Sequence, residues 1–430
     1  MRHWPSVRAA LVTALPLAFI LVSYLALAWG AVTIPAPTIR GVILDDLADM
    51  LGVEYDSGLD YTNREVIRDA ILIQQIRLPR VVLAGLVGAG LALAGAGLQG
   101  VFRNPLADPG LIGIANGAAC GAVTAILLDV NFAADLGADR LSELPPFLRA
   151  AGLAAMSGGL LMLVLIGAVL RSREMVWASQ VARWALIVVA GLVAALILIG
   201  LAGVLDVDQG DRVSEAIFAF VFALGVTLAV YRLAYRERRT EGATMLLVGL
   251  AINAIAAAYI GMVTFIVGPS ETGDIVFWTL GSVAQAFWRD VHLMLPFVIL
   301  SLIIFPALAG QLNLMALGAA EARHLGVGVA ALRGAVLLVA ALLTGISVAL
   351  VGVVGFVGLL VPHLARGLYG PDHRALLPAS ALGGATFVIA ADLFARTIAQ
   401  PTDIPLGVVT TLVGGPFFLL LILANRRSIQ

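Results

Sequence analysis

The chain has 430 residues, of which 61% are hydrophobic and 12% charged, and its formal net charge is −1. A soluble domain carries about a quarter charged residues, so this composition excludes a soluble protein and indicates an integral membrane protein. Its apolar runs have the length of membrane-spanning helices, about 20 residues, and lack the alternation typical of barrel strands.

Two residue counts narrow the possible functions. All 26 basic residues are Arg, so no lysine is present to bind nucleotide phosphates in a Walker A loop. Any ATP hydrolysis that drives this protein is therefore expected on another chain. The single cysteine, Cys120, excludes an intrachain disulfide and a cysteine-based zinc site. We expect no metal, no cofactor, no catalytic residues and no nucleic-acid partner.

Uncharged runs predict about twelve membrane-spanning helices. The first run is longer than the apolar part of a signal peptide, and we interpret it as a retained span. The predicted spans are 9–31, 81–102, 110–128, 150–170, 184–205, 214–231, 243–266, 291–310, 334–350, 352–365, 375–391 and 404–425. Gly352, Gly355 and Gly358 predict a short helix or broken turn near the outer face, which a membrane tolerates only where protein buries it.

The distribution of arginine predicts the orientation. With both termini in the cytoplasm, 16 of the 26 Arg lie on the cytoplasmic side, in agreement with the positive-inside rule. This orientation also places segment 312–334, "LNLMALGAAEARHLGVGVAALRG", in the cytoplasm. It is the longest ordered-looking element on that side, so we expect a soluble partner to dock there.

The second predicted span is unusually rich in glycine. Small residues at four-residue spacing let helices approach closely, so helix packing accounts for most of these glycines. The alternative is a smooth wall along a translocation path, formed by Gly88 and Gly95 with Gln99 as a polar point near its inner end.

Four stretches go beyond generic membrane composition. They are 76–122, which contains "VFRNPLADPG", the start of the cytoplasmic segment at 312–327, 355–378 with "VPHLARGLYGPDHRALLP", and 391–418 with "ADLFARTIAQPTDIPLG". Together they closely resemble the permease family of type II ABC importers (FecCD-like), which carries ferric siderophores, haem and vitamin B12 into bacteria. The resemblance covers about residues 60–128 and 213–427.

The resemblance implies an architecture and a set of partners. It implies an all-α polytopic permease domain over 1–430 with the family's ten-helix core. This chain departs from the family in two extra apolar segments, which predict a two-helix insertion at 150–205, with 184–235 as the alternative placement. It places the protein in the bacterial inner membrane as a dimer, with a homodimer expected. Two ATPase subunits lie below such a dimer, and a periplasmic binding protein docks above it.

The resemblance also assigns roles to particular residues. Segment 312–334 matches the family's cytoplasmic coupling loop, two short helices seated on the ATPase. Its expected contacts are Leu314, Met315, Leu317, Gly318, Glu321, Arg323 and Gly326, the leucines and methionine forming an apolar wedge and the two glycines separating the helices. Arg77, Arg80 and Arg396 match the positions that receive acidic residues of the binding protein. The alternative is local pairing, of Arg396 with Asp392 and of Arg77 or Arg80 with Asp69.

The function expected from these features is import of a ferric siderophore or haem, with cobalamin as the alternative substrate. A second alternative is an ion-coupled secondary carrier, but such carriers have ionisable residues within their spans, and here those residues are nearly absent. An intramembrane enzyme is disfavoured, because no nucleophile–base pair lies at membrane depth.

Overall fold

The computed structural model describes residues 4–53, 55, 57–128, 210–236, 239–240 and 242–426. The predicted spans 150–170 and 184–205, and with them the predicted insertion, lie outside these residues. Six helical stretches in the described part are long and apolar enough to cross a membrane, and three apolar helices are shorter. The helical membrane fold is therefore confirmed, while the count of twelve spans stays a prediction.

The elements follow one another in a simple order. The helices are α1 (Trp4–Ala28), α2 (Ala36–Leu51), α3 (Arg64–Ile71), a π-helical segment (Leu72–Arg77), α4 (Leu78–Phe102), α5 (Ile114–Leu127), α6 (Gly210–Ala234), α7 (Gly242–Ile266), α8 (Pro269–Leu280), α9 (Trp288–Met315), α10 (Ala319–His324), α11 (Val329–Val351), α12 (Val357–Tyr369), α13 (His373–Ile398) and α14 (Leu406–Arg426). Two-residue antiparallel strands, β1 (Tyr235–Arg236) and β2 (Arg239–Thr240), lie between α6 and α7.

Helix α4 lies at the centre of the bundle, where it packs against α9, α11, α12 and α13. Glycines allow this contact. A methyl group on Gly88 would lie 2.1 Å from the carbonyl O of Gly384 in α13, and one on Gly95 would lie 1.9 Å from that of Gly358 in α12. Because the backbones themselves touch at these points, α4 forms the axis around which the other helices are arranged.

The chain is not helical over 352–355, between α11 and α12. Neighbouring backbone satisfies the polar groups here: the N–H of Ser282 donates to the carbonyl of Val351 at 2.7 Å, and that of Val353 donates to Trp278 at 2.9 Å. The break predicted from the glycines is confirmed. It is stable in a membrane protein because these backbone groups find partners within the bundle.

Candidate functional site

The segment between α9 and α11, residues 316–328, is called the connector below. It contains one short helix, α10, with Gly318 directly before it and Gly326 two residues after it. These glycines have φ values of +131° and +87°, a region that other residues seldom adopt. Both predicted helix breaks are therefore confirmed, and each requires glycine for its backbone conformation.

The expectation of two short helices within 312–334 is corrected by the structure. Residues up to Met315 continue the long helix α9, and residues from Val329 onward already belong to α11. The described connector therefore has a single six-residue helix, since α9 runs five residues past the predicted end of its span at 310.

The apolar surface of the connector also differs from the prediction. Met315 is fully buried and Leu314 is half-buried, because both lie in the last turn of α9. Leu317 is 60% exposed and Leu325 is 58% exposed, so these two side chains form the apolar surface. Sequence reasoning missed Leu325, whose one signal is its place as an apolar residue directly before the break at Gly326.

Charged side chains surround the start of α10. Glu321 and Arg323 are exposed, and Nε of Arg323 donates to the carbonyl of Ala319 at 2.9 Å. A methyl group on Gly318 would lie 2.0 Å from Oε2 of Glu321 and 3.7 Å from Nη1 of Arg103. Because Arg103 directly follows α4, the connector lies against one end of that central helix.

The opposite end of α4 holds a buried group of charges. Arg80, in the first turn of α4, donates to both carboxylate oxygens of Asp392 in α13 at 2.8–3.1 Å. Its Nη2 also donates to Asp403 at 2.8 Å. Arg396 lies one turn from Asp392 on α13, with Nε 3.7 Å from a carboxylate oxygen. Asp392 is therefore the shared anion that links two helices.

Two of the arginines bind the last turn of α1. Nη1 of Arg77 donates to the carbonyls of Leu27 at 2.6 Å and Ala28 at 3.1 Å. Arg396 donates to the carbonyl of Ala26. The final carbonyls of a helix lack intrahelical partners and carry partial negative charge, so cations are favourable there. Arg77 and Arg396 thus cap α1 and hold it against the bundle.

The predicted docking arginines are therefore not presented at a surface. Arg77, Arg80 and Arg396 are 5%, 9% and 7% exposed, and each has partners within the chain. The structure supports the alternative of local pairing, although the partner of Arg80 is Asp392. Asp69 instead bonds to Arg68 at 2.8 Å. A docking role for the three stays a prediction, and it now requires these internal contacts to open.

The structure also places the residues proposed for a translocation path inside the helix packing. Gly88 and Gly95 contact backbone of α13 and α12, as described above. Gln99 is 2% exposed, and its amide nitrogen lies 3.3 Å from the carbonyl O of Gly358 and 3.4 Å from that of Leu359. The packing interpretation accounts for all three, because neighbouring helices cover this face of α4. A role of the three residues along a translocation path stays a prediction.

Asp108 is a further buried charged residue at the connector end of α4. Its carboxylate accepts the N–H of Gly110 at 2.7 Å and lies beside Gly358, in the first turn of α12. Burial raises the pKa of Asp108 to about 6, although the N–H groups of Gly110 and Leu111 oppose that rise.

Comparison with known families decides what kind of protein this geometry belongs to. The FecCD transport family matches residues 18–211 and 185–424. The chain belongs to the FecCD transport family.

The names of individual relatives of this FecCD permease refer to different substrates. The hemin transport system permease protein HmuU of Yersinia pestis is 36% identical over 82% of this chain and 83% of its own length. The cobalamin import system permease protein BtuC of Halobacterium salinarum is 34% identical over 82% of this chain and 73% of its own length. The vitamin B12 import system permease protein BtuC of Escherichia coli O9:H4 is 30% identical over 84% of this chain and 86% of its own length.

A solved structure supports the fold. A metal-chelate type ABC transporter in an inward-facing conformation matches with a TM-score of 0.66 and 24% identity, over 97% of this chain and 99% of the other. The FecCD protein is therefore a multi-span helical permease of an ABC importer, which is a transport component. Permeases of this kind work with an ATPase and a binding protein. This assignment sets aside the ion-coupled carrier and the intramembrane enzyme.

Proposed function

We propose that this FecCD permease imports an iron chelate, haem or a ferric siderophore, across the bacterial inner membrane. The observation that carries this proposal is the 36% identity to a hemin permease over four-fifths of both chains. Cobalamin is the second candidate, because cobalamin permeases match at 30–34% identity over similar lengths. The binding protein that delivers the substrate makes part of this choice.

The proposed assembly has two copies of this chain, two ATPase subunits and one periplasmic binding protein. ATP hydrolysis belongs to the ATPase subunits, since this chain has no lysine for a Walker A loop. The excess of arginine in the connector-side loops supports placing the connector and both termini in the cytoplasm. The binding protein is then expected at the end of α4 that holds Arg80.

We further propose that 1–430 forms one permease domain in which 150–205 is a two-helix insertion. The two family matches overlap at 185–211, which agrees with extra chain in this region and with either placement of the pair, 150–205 or 184–235. The inserted pair is expected at the periphery of the domain.

The proposed contact with the ATPase is the connector. It has the features of a docking element: a short helix fixed by two glycines, two exposed leucines, and exposed charges of both signs on α10. Exposed apolar side chains surrounded by charges are typical of a helix that seats in a groove of a partner. Glu321 and Arg323 then set the register of the contact.

Replacing the exposed leucines tests this contact. Leu317→Asp with Leu325→Asp would place two charges in the apolar centre of the interface, which we expect to weaken ATPase association about 100-fold or more. Co-purification of the ATPase with the tagged permease measures the effect. Leu51→Asp is the matched control, because Leu51 is 67% exposed on α2, away from the connector. An intact complex from the double variant would contradict the proposed contact.

The substrate is tested by uptake. In a strain that lacks this permease, uptake of labelled hemin, ferric siderophores and cobalamin is compared with and without the restored gene, and with and without the ATPase. Loss of one iron chelate that depends on both proteins confirms the proposal. Loss of cobalamin alone selects the alternative substrate, and ATPase-independent uptake would contradict the mechanism.

A further inference from the structure

The last turn of α9, directly before the connector, is hydrogen-bonded to the start of α13. Asn313 uses both ends of its side-chain amide. Its Nδ2 donates to Asp372 at 2.7 Å, and its Oδ1 accepts the backbone N–H of His373 at 2.9 Å. Asp372 is also the N-cap of α13, since its carboxylate accepts the N–H of Arg374 at 2.9 Å. One side chain of α9 therefore binds the N-terminus of α13.

The ring of His373 extends this contact to the central helix. Nδ1 lies 2.8 Å from Oδ1 of Asn313, so Nδ1 carries the proton and donates. Nε2 points at Gly100 of α4, where a methyl group would lie 2.4 Å from it. His373 is 5% exposed, and Nε2 has no hydrogen-bond partner in the described structure. The imidazole is thus held between α9 and α4.

This arrangement exceeds what capping or packing requires. Asp372 already caps α13 through the N–H of Arg374, so the cap needs no side chain from α9. A buried ring nitrogen without a partner is unfavourable, and an apolar side chain would fill the space without that loss. What Asn313 and His373 add is a connection between three helices, at a point three residues before the start of the connector.

We propose that Asn313 and His373 are positioning residues that transmit displacement of the connector helix α10 to α13 and α4. The inference rests on the proposed function of the connector as the ATPase contact. Because α9 is a continuous helix up to Met315, a force on α10 acts on Asn313 within two turns. The hydrogen bonds from Asn313 pull the start of α13 with it, and the His373 ring carries the displacement to α4 through Gly100.

Spin labels measure this transmission without requiring the transported substrate. Cys120 is the chain's single cysteine, so a Cys120→Ala background accepts label pairs at chosen sites. Glu65→Cys, at the start of α3, and Thr402→Cys, after α13, are both exposed and lie beyond the Arg80 end of the bundle. Electron–electron distances are recorded for the complex with the ATPase, nucleotide-free and trapped with ATP and vanadate. We expect trapping to shift the distance by several Å.

The variants separate transmission from folding. Asn313→Leu removes the hydrogen bonds at similar volume and is expected to lose at least half of the distance shift, while ATP hydrolysis by the complex stays within about twofold. His373→Leu should behave alike. His373→Asn keeps a donor near the Nδ1 position and should keep the shift. Arg374→Gln is the matched control on the same turn, because Arg374 contributes only its backbone N–H, which donates to Asp372.

Every outcome bears on the proposal. A parental distance shift in Asn313→Leu overturns it, and so does the absence of any shift in the parent complex. If neither Asn313→Leu nor His373→Leu assembles with the ATPase, the contact between Asn313 and His373 serves folding alone. That result also overturns the proposal. The Leu317→Asp and Leu325→Asp variant is scored separately. If it keeps the ATPase, the proposed function of the connector fails, whatever the labels show.

Discussion

Helices α4 and α7 have the same length, 25 residues, and their most apolar windows have equal mean hydropathy. Their surroundings nevertheless differ. The most apolar window of the helical stretch Arg64–Phe102, which ends with α4, is 89% buried within the protein. The corresponding window of α7 is 17% buried. Large apolar side chains of α7 face outward: Leu247, Leu250, Ile255, Met262, Phe265 and Ile266. Hydropathy therefore identifies both as membrane helices but does not separate the central helix from a peripheral one.

What separates them is backbone contact at glycine. Gly88 and Gly95 of α4 touch backbone of α13 and α12, but a methyl group on Gly261 of α7 would meet nothing within 4 Å. Gly249 of α7 is intermediate, since a methyl group there would lie 2.4 Å from the carbonyl O of Leu111. The function of a glycine in this protein thus depends on what its helix face meets.

The largest effect is expected from filling the contact at the middle of α4. Gly95→Leu would force α4 and α12 apart, because the atom opposed to the new side chain is backbone, 1.9 Å from the Cβ position. We expect a loss of at least about 3 kcal/mol and little folded protein. Gly261→Leu on α7 should change stability by less than about 1 kcal/mol. Fluorescence-detected gel filtration after heating measures the melting temperatures of both variants. Similar melting temperatures would contradict the distinction between the glycines of α4 and α7.

The charged end of α4 is expected to give the next effect. Asp392→Ala would leave Arg80 and Arg396 buried without their shared anion, and breaking such a buried pair costs about 3 kcal/mol or more. Asp403→Ala is the control, since that carboxylate is a third exposed and binds Arg80 alone, so we expect a loss under about 1 kcal/mol. The two melting temperatures in detergent decide the prediction. Equal losses would show that Asp392 is not the anion on which the cluster depends.

The smallest effect is expected at the other end of α4, as a dependence on pH. The pKa of Asp108 is raised from 3.8 to about 6, so the folded state binds its proton more tightly than the unfolded state does. Stability should therefore fall as pH rises from about 4 to 6 and level off above that, by on the order of 2–3 kcal/mol.

Asp108→Asn keeps an acceptor for the N–H of Gly110 and should flatten this profile. Asp60→Asn is the control. Asp60 is exposed, and the hydroxyl and N–H of Thr62 lower the pKa of its carboxyl, the opposite direction. Melting temperatures between pH 4.5 and 7.5 measure the profile. An unchanged slope in Asp108→Asn would show that another group causes the dependence.

Much of the fold could be predicted from the sequence, because lipid imposes a simple rule. Uncharged runs of sufficient length mark helices, and φ > 0 at a turn favours glycine, so the breaks at Gly318, Gly326 and Gly352 were predictable. The candidate sites were harder. An arginine looks the same in the sequence whether it faces water or bonds within the bundle, as Arg77, Arg80 and Arg396 do. Likewise, Met315 looks the same in the sequence whether it lies in an exposed wedge or in a core.

The sequence by itself determined that this protein is a helical membrane protein, where most of its described helices lie, and that its own chain has no lysine for a phosphate-binding loop. These follow from composition and local backbone preference, which act over a few residues. Only the tertiary structure decided that α4 is central, that Asp392 joins Arg80 to Arg396, and that Asn313 binds the start of α13. Those contacts join residues 4 to 312 positions apart, so they depend on how helices of nearly equal hydropathy are arranged around one another.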